Sequence, residues 1–189
     1  EVPKNDRSWR KQSCRFVVAK MVKTMDALIK RCESSTEENQ SFLETLDAIC
    51  DASLGDFYVR ISSLANAAAL LYEYVKDINW VGFYLKHPKM DELMLGPFQG
   101  KVACTRITVG KGVCGTAFAS KSTQLVPDVH AFEGHIACDS TSRSELVVPI
   151  FFDGQPIGVL DIDSPVIHRF SSDDAAFIEQ AVRVLEAKW

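Results

Sequence analysis

The sequence predicts an α+β domain, a central antiparallel sheet flanked by helices, with an N-terminal helical extension. Three observations point to it. Apolar residues recur at helical spacing through residues 1–54 and again near the C-terminus. Between them, residues 79–163 hold short segments of alternating β-branched and aromatic residues. Two of those segments flank Asp153-Gly154, a two-residue hairpin signal. The division expected is an extension over 1–54 and one compact domain over 55–189.

In the extension, Phe16, Val17, Met21, Met25, Leu28 and Ile29 form a helical stripe with Lys20, Lys23, Lys30 and Arg31 on the other positions. Ser34, Ser35 and Thr36 break the pattern, and Glu37 and Glu38 open a second helix striped by Phe42, Leu43, Leu46 and Ile49. Such faces suit packing against the main domain or a homodimer partner. A third helix is expected over 56–76, around an Ala-rich centre. Residues 79–85 then read as a strand, His87-Pro88-Lys89 as a turn, 93–98 as a second strand and 106–109 as a short third. Gly110-Lys111-Gly112 breaks the chain before a short helix at 115–120, and 124–126 form a brief strand. Residues 129–144 carry Gly134 and no periodicity, so a functional loop is expected there. Strands at 146–152 and 157–163 follow. Ser171-Ser172-Asp173-Asp174 caps a last helix bearing Phe177, Ile178, Ala181, Val182 and Leu185. The helices are expected on one face of the sheet.

Of 189 residues, 47% are hydrophobic and 24% charged, which is ordinary globular composition. A formal net charge of −4 gives no global field favouring nucleic acid or an anionic membrane. No apolar run approaches the roughly 20 residues that span a bilayer, so a protein off the membrane is expected. The sequence starts at Glu1 rather than Met, which is compatible with a targeting segment removed by processing. Six irregularly spaced cysteines in a chain rich in core residues fit a reducing, cytoplasmic compartment better than a disulfide scaffold.

Three of those cysteines are candidates for chemistry. Cys104, Cys114 and Cys138 sit beside glycines and polar residues in loop-like sequence, whereas Cys14, Cys32 and Cys50 fall in helical patterns and read as packing. Asp161 and Asp163, two apart on a strand, share a face with Ile157 and Val159. Two readings stand side by side: the strand has run out into solvent, or the pair binds a cationic ligand or holds a proton. A turn pairing Phe152 with Gln155 sets Glu145 opposite Ile162, on the wrong face, so Glu145 joins the aspartates only if a bulge shifts the register by one or if it lies in the loop before the strand. Trp80 and Tyr84 share a strand face with Gly82 between them, leaving room between two rings for core packing or for a methyl or thioether group. A zinc site would use these cysteines with His130 or His135, but gaps of nine and twenty-three residues are not the paired spacing of structural zinc.

Five motifs, in order, carry a resemblance. Asn79-Trp80-Val81-Gly82-Phe83-Tyr84, Leu95-Gly96-Pro97-Phe98-Gln99-Gly100-Lys101, Gly112-Val113-Cys114-Gly115-Thr116-Ala117, Gly134-His135-Ile136-Ala137-Cys138-Asp139 and Gly158-Val159-Leu160-Asp161-Ile162-Asp163-Ser164 look like the free methionine-(R)-sulfoxide reductases, which are GAF-domain enzymes. The resemblance runs from about Leu64 to the C-terminus and leaves the lead-in uncovered. It implies a GAF-like fold with a lidded pocket, redox cysteines at Cys104, Cys114 and Cys138, pocket carboxylates at Glu145, Asp161 and Asp163, and pocket aromatics at Trp80 and Tyr84. No position departs from the family pattern. The implied nucleophile is Cys138, with Cys114 as the alternative, and Cys104 is the principal resolving thiol. Free methionine sulfoxide is the implied substrate and a thioredoxin-like dithiol the external reductant, with no bound cofactor. A GAF sensor that binds a small ligand without catalysis is the competing reading, and a zinc-stabilised interaction domain a third.

Overall fold

The structure, a computed structural model, describes residues 35–50, 56–136 and 139–188. The stripe from Phe16 to Ile29, Cys14, Cys32 and Cys138 lie outside the described residues. Two compact units divide the chain, Glu1–Ile49 and Cys50–Trp189. In the first, the described residues form helix α1 (Ser35–Ile49), with Glu37 and Glu38 in its first turn, where the helix dipole favours acids.

The second unit opens with α2 (Phe57–Tyr74), whose N-cap Asp56 accepts the Val59 N–H at 2.9 Å. Six strands follow: β1 (Trp80–Lys86), β2 (Glu92–Gly100), β3 (Arg106–Thr108), β4 (Gln124–Val126), β5 (Ser144–Phe152) and β6 (Gln155–Ser164). Helix α3 (Gly112–Ser120) lies between β3 and β4 in sequence, and α4 (Ser172–Glu186) closes the chain. The sheet order is β3-β2-β1-β6-β5-β4, with every neighbouring pair antiparallel. Pairing β1 with β6 puts both at the centre, buried on each face, which is why their sequences are apolar at nearly every position.

Val81, Phe83, Leu146, Val148, Leu160 and Ile162 form one buried face. It is the face of the two long helices: α2 packs along β1 and β2, and α4 along β5. A stripe of Phe177, Ile178, Ala181, Val182 and Leu185 fixes the facing of α4, and Ser171 and Asp174 form a reciprocal capping box at its start. The opposite face carries Trp80, Tyr84, Val147 and Val159 in a cluster with Val113, Cys114, Ala117 and Phe118 of α3.

That placement corrects two expectations. Helices are not confined to one face, because α3 covers the other. It also begins at Gly112 rather than Gly115, so Cys114 occupies a helical first turn instead of a loop. Gly112 makes this start possible: its φ of +61° suits glycine, and an added Cβ would lie 3.2 Å from the Ile136 side chain.

The β5–β6 hairpin turns on Asp153 and Gly154, both at positive φ as a type I′ turn requires. Phe152 faces Gln155 and Phe151 faces Pro156, but Ile150 faces Gly158, so Ile157 is bulged out. The slip turns Glu145 onto Asp163 instead of Ile162. Of the two ways the acids could meet, the bulge is the one realised, and Glu145 lies within β5 rather than in a loop before it.

Gly82 does not leave open room between two rings. The Trp80 indole lies over it, 5.4 Å from the Phe98 ring and 6.0 Å from that of Tyr84, stacked on both. A Cβ at Gly82 would fall 2.5 Å from Trp80 and 2.4 Å from the Phe98 Cβ. Gly82→Ala is therefore expected to cost about 1–3 kcal/mol by overpacking, read as a melting temperature lowered by several degrees with Trp80 fluorescence displaced. An unshifted melt would show that the aromatic stack yields freely.

Candidate active site

Three strands bring the acids together. In the row across the sheet, Trp80 faces Asp163 and Asp163 faces Glu145; in the next, Gly82 faces Asp161 and Asp161 faces Val147. Residues directly opposite point to the same side, so Glu145, Asp161 and Asp163 converge on the α3 face beside Trp80. The strand has not run out into solvent at this point: Asp161 and Glu145 are both buried at 6% exposure.

Helix α3 supplies the facing wall. Cys114 is buried there, and its thiol hydrogen-bonds the Asp161 carboxylate. The Cys114 sulfur and one oxygen from each of Glu145 and Asp161 lie within 4.8 Å of one another. His135 Nε2 approaches Glu145 Oε2 to 3.8 Å from the loop after β4.

Two loops form the rim. Trp80 Nε1 donates to the Lys101 carbonyl at 3.0 Å, and the Tyr84 hydroxyl to the Cys104 carbonyl at 3.0 Å. The aromatic wall thus holds the segment carrying Cys104 in place, with Val102 and Ala103 reaching the pocket. On the other side, Asn79 Nδ2 donates to Asp139 and Ser142 at 3.2 and 3.0 Å, and Lys101 pairs with Asp139 at 3.1 Å. That ion pair joins the segment of Cys104 to the chain neighbour of Cys138.

Burial sets the protonation states. Glu145 and Asp163 are raised well above the usual carboxylate range, chiefly by desolvation and then by the charge of Asp161. Desolvation lifts Asp161 to about 6, with hydrogen bonds from Cys114 and Glu145 holding it down. Asp139, in contrast, is held near 2 by the Thr141 N–H and hydroxyl and by Lys101. A cysteine in a helical first turn would ordinarily be acidified. Here desolvation and the neighbouring acids push the Cys114 thiol well above 9.0 instead.

Among the described residues no Lys or Arg lines this pocket, and Asp161 Oδ1 is buried there without a hydrogen-bond partner. Concentrated, unneutralised acid behind an aromatic wall suits a small cationic ligand with an apolar tail. A bare metal ion would find Cys114, Glu145 and Asp161 as donors, but this is one thiol with two carboxylates rather than the cysteine-rich zinc set. Of the three candidate redox thiols, Cys114 lines the pocket, Cys104 is half-buried in its rim segment, and Cys138 lies outside the described residues. His135, Asn79, Ser142 and Lys101 were not singled out as pocket residues by spacing. Asn79, Lys101 and His135 fall inside the motifs of the resemblance, but only tertiary pairing reveals what they touch.

Residues 57–188 match the GAF domain model. The free methionine-R-sulfoxide reductase of Escherichia coli (strain K12) is 56% identical over 126 residues, covering 67% of this chain and 75% of that one. That of Saccharomyces cerevisiae is 44% identical over 159 residues, covering 80% and 88%. Among solved structures, the free methionine-R-sulfoxide reductase from Neisseria meningitidis in complex with its substrate superposes with a TM-score of 0.76 at 43% identity, covering 84% of this chain and 92% of that one.

Proposed function

Because this chain belongs to the GAF-domain family and, within it, to the free methionine-R-sulfoxide reductases, we propose that it reduces free L-methionine (R)-S-oxide to L-methionine. The observation that carries this reading is the row of Glu145, Asp161 and Asp163 with no Lys or Arg against it among the described residues. An α-ammonium supplies the missing positive charge. A methionine sulfoxide within a polypeptide has no such group, except at the N-terminus.

Trp80 and Tyr84 accept the methyl and sulfur end, where aromatic rings favour polarisable sulfur. The Cys138 thiolate attacks the sulfoxide sulfur while Glu145, held protonated, gives its proton to the departing oxygen. The protonated oxygen then passes from the substrate sulfur to the Cys138 sulfur as hydroxyl while the transient S–S bond breaks, so methionine leaves and Cys138 becomes a sulfenic acid. Cys104 then displaces water from it to form a disulfide, which a thioredoxin-class dithiol reduces by exchange. Cys114 is the poorer attacker because its thiol is held protonated, and it serves as a hydrogen-bonding wall to Asp161. No bound cofactor enters these steps, and a cytoplasmic dithiol pool would sustain them.

The test is incubation with racemic free methionine sulfoxide and a dithiol, followed by chiral analysis. Selective loss of the R epimer is expected. Binding without turnover would instead mark a GAF ligand sensor and overturn the proposal.

A further inference from the structure

Glu145 spends one proton per sulfoxide in the reaction above, yet its side chain is only 7% exposed. A group so enclosed needs a route by which to recover that proton. His135 stands on such a route. Its Nε2 lies 3.8 Å from Glu145 Oε2, its ring is 14% exposed, and it lines the same pocket. Its backbone is tied down, with the His135 N–H donating to the Phe132 carbonyl at 3.2 Å across the turn at Gly134.

We propose that His135 is a positioning residue acting through Glu145, whose imidazole carries to that buried carboxylate the proton it gives up in each cycle. The inference rests on the reductase reading. The balance closes without a further reactant. Cys138 releases its thiol proton to solvent on becoming a thiolate, Glu145 passes one proton to the sulfoxide oxygen, and His135 returns one from solvent to Glu145.

Electrostatics favour the transfer. Burial and then Asp161 and Asp163 on β6 raise Glu145, while burial and then His130 lower His135 from 6.5, so Glu145 takes up a proton more readily, and His135 releases one more readily, than either does in water. Cys114 on α3 also faces the pair but stays protonated. Asp139, further along the loop, is neutralised by Lys101.

The experiment uses the full chain carrying His135→Gln, which keeps a polar side chain but cannot carry a proton at neutral pH. Pre-reduced enzyme is mixed with sulfoxide under saturating dithiol, and methionine release is followed through the first and later turnovers. The first turnover is expected at the wild-type rate, since Glu145 starts loaded, and later ones at least tenfold slower. KM should change less than twofold, the high-pH fall in kcat should move to lower pH, and added imidazole should restore the rate. A melting temperature close to wild type keeps the comparison fair, and His135→Asn replaces the glutamine variant if it melts early. First and later turnovers slowed equally, or neither slowed, would overturn the relay while leaving the reductase standing. Wild-type protein that consumes no sulfoxide would overturn both.

Discussion

Pre-reduced protein carrying Cys138→Ser is expected to release no methionine even in a single turnover, a loss of at least about a thousandfold, because the nucleophile is absent from the first bond-forming step. Cys104→Ser should behave differently: one methionine per chain at near wild-type rate, then arrest, with a sulfenic acid trappable by a 1,3-dione and located by mass spectrometry. Cys114→Ser should retain turnover at reduced efficiency, since its thiol contributes a hydrogen bond to Asp161 rather than a nucleophile. The ordering follows from protonation. A thiol enclosed with three acids gives up its proton reluctantly, whatever favour the first turn of α3 offers it. If Cys138→Ser released one methionine per enzyme at the normal rate, attack would pass to Cys114, and the raised thiol would have to be acidified by the arriving ammonium.

The fold was legible where one period dominates. Strands β1 and β6 are near-continuous apolar runs bounded by turn residues, α4 pairs its apolar stripe with a cap at Ser171, and Asp153-Gly154 marks its own turn. Helix α3 was misplaced because Val113, Cys114, Ala117 and Phe118 make it apolar on almost every side. With no polar face, periodicity cannot say which layer it joins. The register of β5 against β6 was legible only as a conflict. Nothing in Pro156-Ile157-Gly158 announces the bulge, and only the need to gather three acids argued for it. Gly82 shows the reverse limit. Spacing put Trp80 and Tyr84 on one face but could not reveal that Phe98, arriving from β2, draws the indole down across the glycine. His135 and Glu145 are ten positions apart in sequence and on different elements, so their meeting is a property of the fold alone.

Asp161→Asn is expected to lower kcat/KM by roughly 10²–10³-fold, the consequence of removing one partner of a buried ammonium–carboxylate pair worth about 3–5 kcal/mol, while making the ligand-free protein more stable at neutral pH. The sign follows from linkage. Asp161 ionises near 3.8 when unfolded and near 6 when folded, so between those values the native state holds a proton that the unfolded state has lost. Stability therefore falls as pH rises through this window, and the whole deficit persists above it. A rise from 3.8 to about 6 corresponds to on the order of 3 kcal/mol. Glu145 and Asp163, also raised, act in the same direction at higher pH. Asp139 acts oppositely: held near 2, it stabilises above the unfolded carboxylate range and loses that contribution as pH falls toward 2. The ligand-free wild type should thus melt highest near pH 4, where the Asp139 contribution is complete and the Asp161 deficit has not yet begun, and lower at pH 7.5, and Asp161→Asn should flatten the decline between them. Saturating methionine should raise the wild-type melt at pH 7.5 more than that of the variant, because its ammonium relieves the carboxylate that the variant no longer has. A variant that retained activity within a few-fold, or melted below wild type at pH 7.5, would mean that Asp161 is a structural residue and that the ammonium is held elsewhere. A stable but inactive variant would identify the enclosed acids as strain kept for the substrate, stability given up in the empty pocket and recovered when a cationic amino acid fills it.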